Sequence, residues 1–133
     1  MSLRKTLKSL LGAPERGPGE ATCVLVPGAR ELEAAIASKD RLMVLFYASW
    51  CPFSQAFLGT YMKHASAGEP CYMRIIVDDG DPVTERYGIE VFPTVLYFEK
   101  GRLAKRLDGV YHRGLTGGQL EDFARRCAVP EGR

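Results

Sequence analysis

The sequence predicts an α/β fold in which helices cover both faces of one central mixed sheet. Strand and helix patterns alternate along the first part of the chain, which requires parallel crossovers, and two successive strand patterns later add a hairpin. The run 42–48 has no polar residue on either alternating face, as expected of a central strand covered on both faces. The 133 residues suit one domain built on a sheet of about five strands.

The first half of the chain alternates strand and helix patterns. Apolar residues recur at helical spacing in the helical segments and run on continuously in the strands. Pro52 suits the first position of a helix, because that position needs no N–H group. In chain order we predict a strand over 21–26, a helix over 31–38, the strand over 42–48 and a helix over 52–65.

The second half ends in a hairpin and a last helix. Asp81 before Pro82 predicts a helix cap rather than a calcium loop, because the ligand spacing of a calcium loop is missing. Lys100-Gly101 predicts the hairpin turn. In chain order we predict a strand over 71–77, a helix over 83–87, strands over 92–98 and 102–107, and an amphipathic helix that carries Leu120 and Phe123.

Charge and cysteine content exclude several classes of function. The net charge of +2 comes from basic ends around a mildly acidic body, so we expect no nucleic-acid binding. The four cysteines are too few for a disulfide-rich scaffold, and none forms a Cys-x-x-Cys pair. We therefore expect no metal site and no cofactor. No segment reaches the ~18 apolar residues of a membrane-spanning helix.

The chain divides into a domain and two tails. We assign 1–20 to a basic tail and linker, 21–128 to the domain and 129–133 to a C-terminal tail. Four leucines near the start would line one face of a short helix, either a loosely docked tail or a helix for a membrane surface or partner. We expect a cytoplasmic protein if the chain is complete; a lost signal or anchor would place it outside the cytoplasm.

Cys51 occupies the junction between the central strand and the next helix. The first turn of a helix offers unpaired N–H groups and the positive end of the helix dipole, and both stabilise an anion. The reactive form of cysteine is the anionic thiolate. We therefore interpret Cys51 as a nucleophile before a packing residue.

Three segments in order resemble the thioredoxin superfamily over roughly residues 21–127. The first is Phe46-Tyr47-Ala48-Ser49-Trp50-Cys51-Pro52-Phe53-Ser54. The second runs from Asp78 through Arg86-Tyr87-Gly88 to Phe92-Pro93-Thr94. The third runs from Phe98-Glu99-Lys100-Gly101 through Gly109 to Gln119-Leu120-Glu121-Asp122-Phe123. The resemblance implies the thioredoxin fold.

The resemblance also implies roles for single residues. Cys51 matches the attacking cysteine of the family, and Pro93 matches the cis-proline that faces it. The backbone of Phe92 would pair with an extended client segment, in a groove lined by Gly109. We assign Trp50, Pro52 and Phe53 to the same client-binding surface, with a plain core aromatic as the alternative for Trp50.

Two positions depart from the family pattern. Ser54 stands where thioredoxins have their second cysteine, and a hydroxyl forms no disulfide. It could instead donate a hydrogen bond to the Cys51 thiolate, so we count it with the catalytic residues. An engineered replacement of a native cysteine is the alternative. Leu45 stands where thioredoxin has a buried aspartate that assists proton transfer, and neither His64 nor His112 matches a family site.

These observations predict a monothiol redox protein that forms reversible mixed disulfides through Cys51. Its partner would be a protein or a low-molecular-weight thiol, and we expect a monomer. A glutaredoxin is disfavoured, because its glycine pair lies closer behind the cis-proline than Gly117-Gly118 lies behind Pro93. The alternative function is a non-catalytic module that holds extended peptides in the cis-proline groove.

The other three cysteines are predicted to be buried, inert thiols. Cys23 and Cys71 lie on strands that are neighbours in this fold, so a disulfide between them is an alternative. Cys127 closes the last helix.

Overall fold

Five strands form one mixed sheet in the order β1-β3-β2-β4-β5, with helices on both faces. The computed structural model describes residues 23–65, 70–78 and 80–128. The predicted fold class is confirmed. In chain order the elements are β1 (Cys23–Val26), α1 (Ala29–Ser38), β2 (Arg41–Tyr47), α2 (Pro52–His64), β3 (Cys71–Ile76), α3 (Pro82–Arg86), β4 (Thr94–Glu99), β5 (Arg102–Leu107) and α4 (Gly117–Cys127).

Strand β2 lies at the centre of the sheet. It pairs in parallel with β3 and in antiparallel with β4. At the two edges, β1 runs parallel to β3 and β5 returns antiparallel to β4. Residues 42–47 are all buried, which confirms the prediction of a strand covered on both faces.

The side chains of β2 alternate between two apolar cores. On one face they pack with Leu32 and Ile36 of α1 and Val83 of α3. On the other they pack with α2 and α4, and the largest contributors there are Phe57, Tyr61, Leu120 and Phe123. Burying one such side chain contributes about 1.5–3 kcal/mol, so both faces hold β2 in place. The position of the segment that follows β2 is therefore fixed by the packing of this strand.

Apart from shifts of a single residue, two element boundaries differ from the prediction, each by two residues. Strand β4 begins at Thr94, two residues later than predicted. The Thr94 hydroxyl donates to the carbonyl oxygen of Val91 at 2.6 Å and closes a turn through Phe92 and Pro93. Proline has no N–H group for the sheet, so the chain bends there before it joins the strand ladder. Helix α1 begins at Ala29, two residues earlier than predicted.

The acidic segment before α3 caps that helix, as predicted. The side chain of Asp81 accepts a hydrogen bond from the backbone N–H of Val83 at 3.0 Å, and Pro82 is the first helical residue. Over the residues that the structure describes, no three His, Cys, Asp or Glu side chains are grouped to hold a metal ion.

All four cysteines are free. Cys23 pairs in register with Tyr72 rather than with Cys71, and Cys71 packs against the core on the other face of the sheet. The alternative disulfide between Cys23 and Cys71 is therefore absent. Burial raises the pKa of Cys23 to about 11, against an opposing effect of Arg74, and raises the pKa of Cys127 to about 12. Cys71 is half-buried.

Several predictions concern residues outside the described ranges. These are the basic N-terminal tail, the boundary near residue 20 and the C-terminal tail. Within the described ranges, no helix has the length and apolar character that a membrane crossing needs.

Candidate functional site

Cys51 is held at the junction between β2 and α2. Its backbone N–H donates to the carbonyl oxygen of Ala48 at 3.3 Å, and its own carbonyl accepts the first helical bond, from Gln55 N–H at 3.0 Å. Cys51 is thus the residue that caps α2, and Pro52 is its first helical residue. The thiol lies at the positive end of a helix of 13 residues.

The cis peptide bond between Phe92 and Pro93 lies against this thiol. Cys51 Sγ is 3.9 Å from the carbonyl oxygen of Phe92, although 41 residues separate the two in sequence. The Phe92 ring is buried and faces the indole of Trp50 edge-on, with ring centres 6.1 Å apart. The turn before β4 therefore forms one wall beside the sulfur.

Ser54 is fully buried one helical turn beyond Cys51. Its hydroxyl accepts a hydrogen bond from the backbone N–H of Ala48 at 3.2 Å. No hydrogen bond joins Ser54 Oγ to Cys51 Sγ among the described residues, so the hydroxyl here fixes the bend between β2 and α2. A sulfur at this position would lie where the family carries its second thiol.

Trp50 lies on the surface beside Cys51, and 58% of it is exposed. Its indole N–H donates to Asp78 Oδ1 at 3.1 Å, which fixes the ring over the end of β3. Trp50 is therefore not the core aromatic of the alternative interpretation. Asp78, as the partner of the indole, is a site residue that the sequence reasoning did not identify.

A cleft of about 280 Å³ opens beside the thiol. Although the Cys51 residue is only 6% exposed, it lines this cleft. The predicted residues Trp50, Pro52, Phe53 and Phe92 line it too, while Pro93 and Gly109 do not. The sequence analysis missed the other lining residues, which are Glu90, Val91, Tyr111 and His112.

Gly109 packs behind the cis-proline turn. Its N–H group donates to the hydroxyl of Thr94 at 3.3 Å. A Cβ atom at this position would overlap the carbonyl oxygen of Pro93 and lie 3.2 Å from Val91 Cγ1. Gly109 therefore supports the wall of the cleft from behind.

Gly109→Ala is expected to lower the free energy of unfolding by about 1–3 kcal/mol, because the backbone of Pro93 must move to admit the methyl group. Urea denaturation measures the change. The matched control is Gly59→Ala in α2, where the added Cβ would meet no atom within 4 Å. There we expect a gain of about 0.5–1 kcal/mol. Equal effects of the two substitutions would contradict this account of Gly109.

The loop 110–114 forms the opposite wall. Val110 and Gly114 exchange backbone hydrogen bonds of 3.0 and 2.8 Å, which close the loop at its base. Gly114 has φ of 74°, and a Cβ there would lie 2.9 Å from Phe53 Cβ, so the loop packs directly on Phe53. At its tip, Tyr111 is 76% exposed.

Leu45 lies in β2, the central strand of the sheet. It is fully buried and belongs to the apolar core that includes Phe57 and Val95. Leu45 itself carries no group that accepts or gives a proton.

The sequence matches the thioredoxin family over residues 24–121, which is most of the chain. The chain belongs to the thioredoxin family. Its fold also matches a mutant thioredoxin from Halobacterium salinarum NRC-1 with a TM-score of 0.68 and 24% sequence identity. That match covers 88% of this chain and 100% of the other.

Two relatives illustrate the range of similar proteins. Protein disulfide-isomerase A5 of Bos taurus is 25% identical over 132 residues, which cover 94% of this chain and 25% of that protein. The thioredoxin of Mycoplasmoides gallisepticum is 26% identical over 81 residues, which cover 59% of this chain and 80% of that protein. The chain therefore spans about a quarter of the length of the disulfide isomerase.

Proposed function

We propose that this thioredoxin-family protein is a monothiol redox protein that forms reversible mixed disulfides through Cys51. The observation that carries the proposal is the placement of Cys51: it caps α2, lines the cleft and has Ser54 in place of a second thiol. Relatives named as thioredoxins and as disulfide isomerases favour a redox function over a module that only binds peptides.

The proposed reaction is thiol–disulfide exchange. The sulfur of Cys51 attacks one sulfur of a client disulfide and forms a new sulfur–sulfur bond to it. The client's own bond breaks, and its electron pair leaves with the second client sulfur, which takes up a proton and becomes a thiol. The client disulfide is the oxidant, so the step needs no cofactor.

The environment of Cys51 supports the forward step. The thiolate is the attacking form, and the free N–H groups in the first turn of α2 stabilise negative charge at its cap. The carbonyl oxygen of Phe92, 3.9 Å from Sγ, marks where an extended client backbone would pass beside the sulfur. We propose that the client is a disulfide-bonded protein segment or the disulfide of a low-molecular-weight thiol.

Release of the client depends on a second thiol. In a Cys-x-x-Cys site the second cysteine attacks the mixed disulfide, whereas the hydroxyl of Ser54 forms no such bond. We propose that an external thiol attacks the client sulfur of the adduct and forms a new disulfide with the client, while the bond to Cys51 breaks and Cys51 leaves as a thiol. We propose that a single copy of the chain carries out the exchange.

Reduction of insulin by dithiothreitol tests the monothiol proposal. We expect the protein to accelerate the reaction little or not at all over dithiothreitol alone, because each adduct at Cys51 has no internal thiol and must wait for attack by dithiothreitol, the same thiol that reduces insulin directly. A two-cysteine thioredoxin is the positive control. Substantial catalysis by the unaltered chain would contradict the proposed role of Ser54.

A further inference from the structure

We propose that His112 accepts the proton of Cys51 when the thiol attacks, and that it returns this proton to the departing client sulfur. This inference rests on the proposed function and assigns an acid–base group to the same site. The carrying observation is that His112 and Cys51 line one cleft of about 280 Å³.

His112 is the one side chain of the cleft suited to proton exchange near neutral pH. Imidazole is the side-chain group that gains and loses its proton between pH 5 and 8. His64, the other histidine, lies at the end of α2 against Tyr72, where it lines a different cleft with Lys63 and Glu121. The two histidines of the chain therefore differ in access to Cys51.

The loop holds His112 in an unfavourable backbone conformation. Its φ is 65°, in the left-handed region that non-glycine residues adopt at a cost of about 1–3 kcal/mol. The backbone N–H groups of Arg113 and Gly114 both donate to Val110 at 2.8 Å and keep the turn closed. The imidazole also meets the Tyr111 ring edge-on, with ring centres 4.0 Å apart. Such held conformations cluster at functional sites.

The charged groups around the cleft are few. Glu90 lines the cleft with His112, and Arg113 is the next residue in the loop. Asp78 is bonded to the indole of Trp50. Tyr111 is a further ionisable side chain of the loop. The fully buried Leu45 offers no proton acceptor.

Each change in sulfur–sulfur bonding is accompanied by a proton transfer to or from His112. As the Cys51 sulfur bonds to the client, its proton moves to the free ring nitrogen of His112. The electron pair of the broken client bond leaves on the second sulfur, which then takes the proton from the imidazolium. When an external thiol releases the client, the same transfers run in reverse. No further oxidant or reductant enters.

The test is the pH dependence of exchange between the reduced full chain and a chromogenic aromatic disulfide. His112→Asn is the variant, because asparagine tolerates a positive φ and so keeps the loop. We expect it to slow exchange at least about tenfold near pH 6.5 and to match the unaltered protein near pH 10. Loss of a general acid or base usually slows a reaction by about 10²-fold or more. We expect a smaller loss here, because a fraction of a thiol is already ionised near neutral pH and that fraction needs no base. His64→Gln is expected to follow the unaltered profile throughout.

Two outcomes would overturn the inference. An unchanged profile for His112→Asn would show that the imidazole takes no part. Rates lowered equally at every pH would show that His112 only shapes the loop. In both cases Cys51 still forms its adduct, so the proposed function stands. If the unaltered protein forms no adduct at Cys51, the proposed function itself fails.

Discussion

Replacing Ser54 with cysteine is expected to give the protein strong dithiothreitol-dependent insulin reduction, which we expect the unaltered chain to lack. Ser54 is fully buried one helical turn from Cys51, so a sulfur placed there can reach the mixed disulfide. It would attack that bond, form an internal disulfide with Cys51 and release the client as a thiol. Insulin turbidity measures the gain, and mass spectrometry under oxidising conditions detects the internal disulfide.

The matched control is Ser54→Ala, which removes the hydroxyl without adding a thiol. It should leave insulin reduction absent and cost about 1–3 kcal/mol of stability, because the buried N–H of Ala48 loses its partner. If Ser54→Cys formed the disulfide but stayed inactive, then the second thiol would not be what limits turnover.

Replacing Cys51 with serine is expected to abolish the mixed disulfide completely. The substitution keeps a small polar residue at the cap of α2, a position that serine favours, so the fold is retained. The reduced protein is incubated with a peptide disulfide, and the adduct is quantified by intact-protein mass spectrometry. Circular dichroism confirms that the variant is folded.

Cys71→Ser is the matched control for this prediction. Cys71 is half-buried at the start of β3 and away from the cleft. Its removal should leave the adduct at full yield. If Cys51→Ser still formed adducts, and these disappeared only when Cys71 was also replaced, then Cys71 in β3 would be the reactive thiol.

The fold and the position of Cys51 could be predicted because both rest on local patterns. The continuous apolar run of β2 and the proline after Cys51 place a strand, a turn and a helix start within a few residues. The contact between Cys51 and Phe92 joins residues far apart in sequence, and only the resemblance to the thioredoxin superfamily indicated it.

The opposite wall of the cleft could not be predicted. Tyr111 and His112 lie on a loop with no periodicity, and the packing of that loop on Phe53 brings them to the cleft beside the thiol. Glu90 and Asp78 likewise lie outside regular elements. The position of Ser54, one helical turn after Cys51, could be predicted from its spacing in the sequence. Its hydrogen bond with the N–H of Ala48 could not, because that bond depends on how the chain bends between β2 and α2.

The central claim is tested most directly by mapping where a disulfide peptide attaches to the reduced full chain near neutral pH. Mass spectrometry of the digested adduct locates the modified cysteine. We predict attachment at Cys51 and none at Cys23 or Cys127, whose pKa values burial raises to about 11 and about 12. An unmodified Cys51, or equal modification of all four cysteines, would contradict the account.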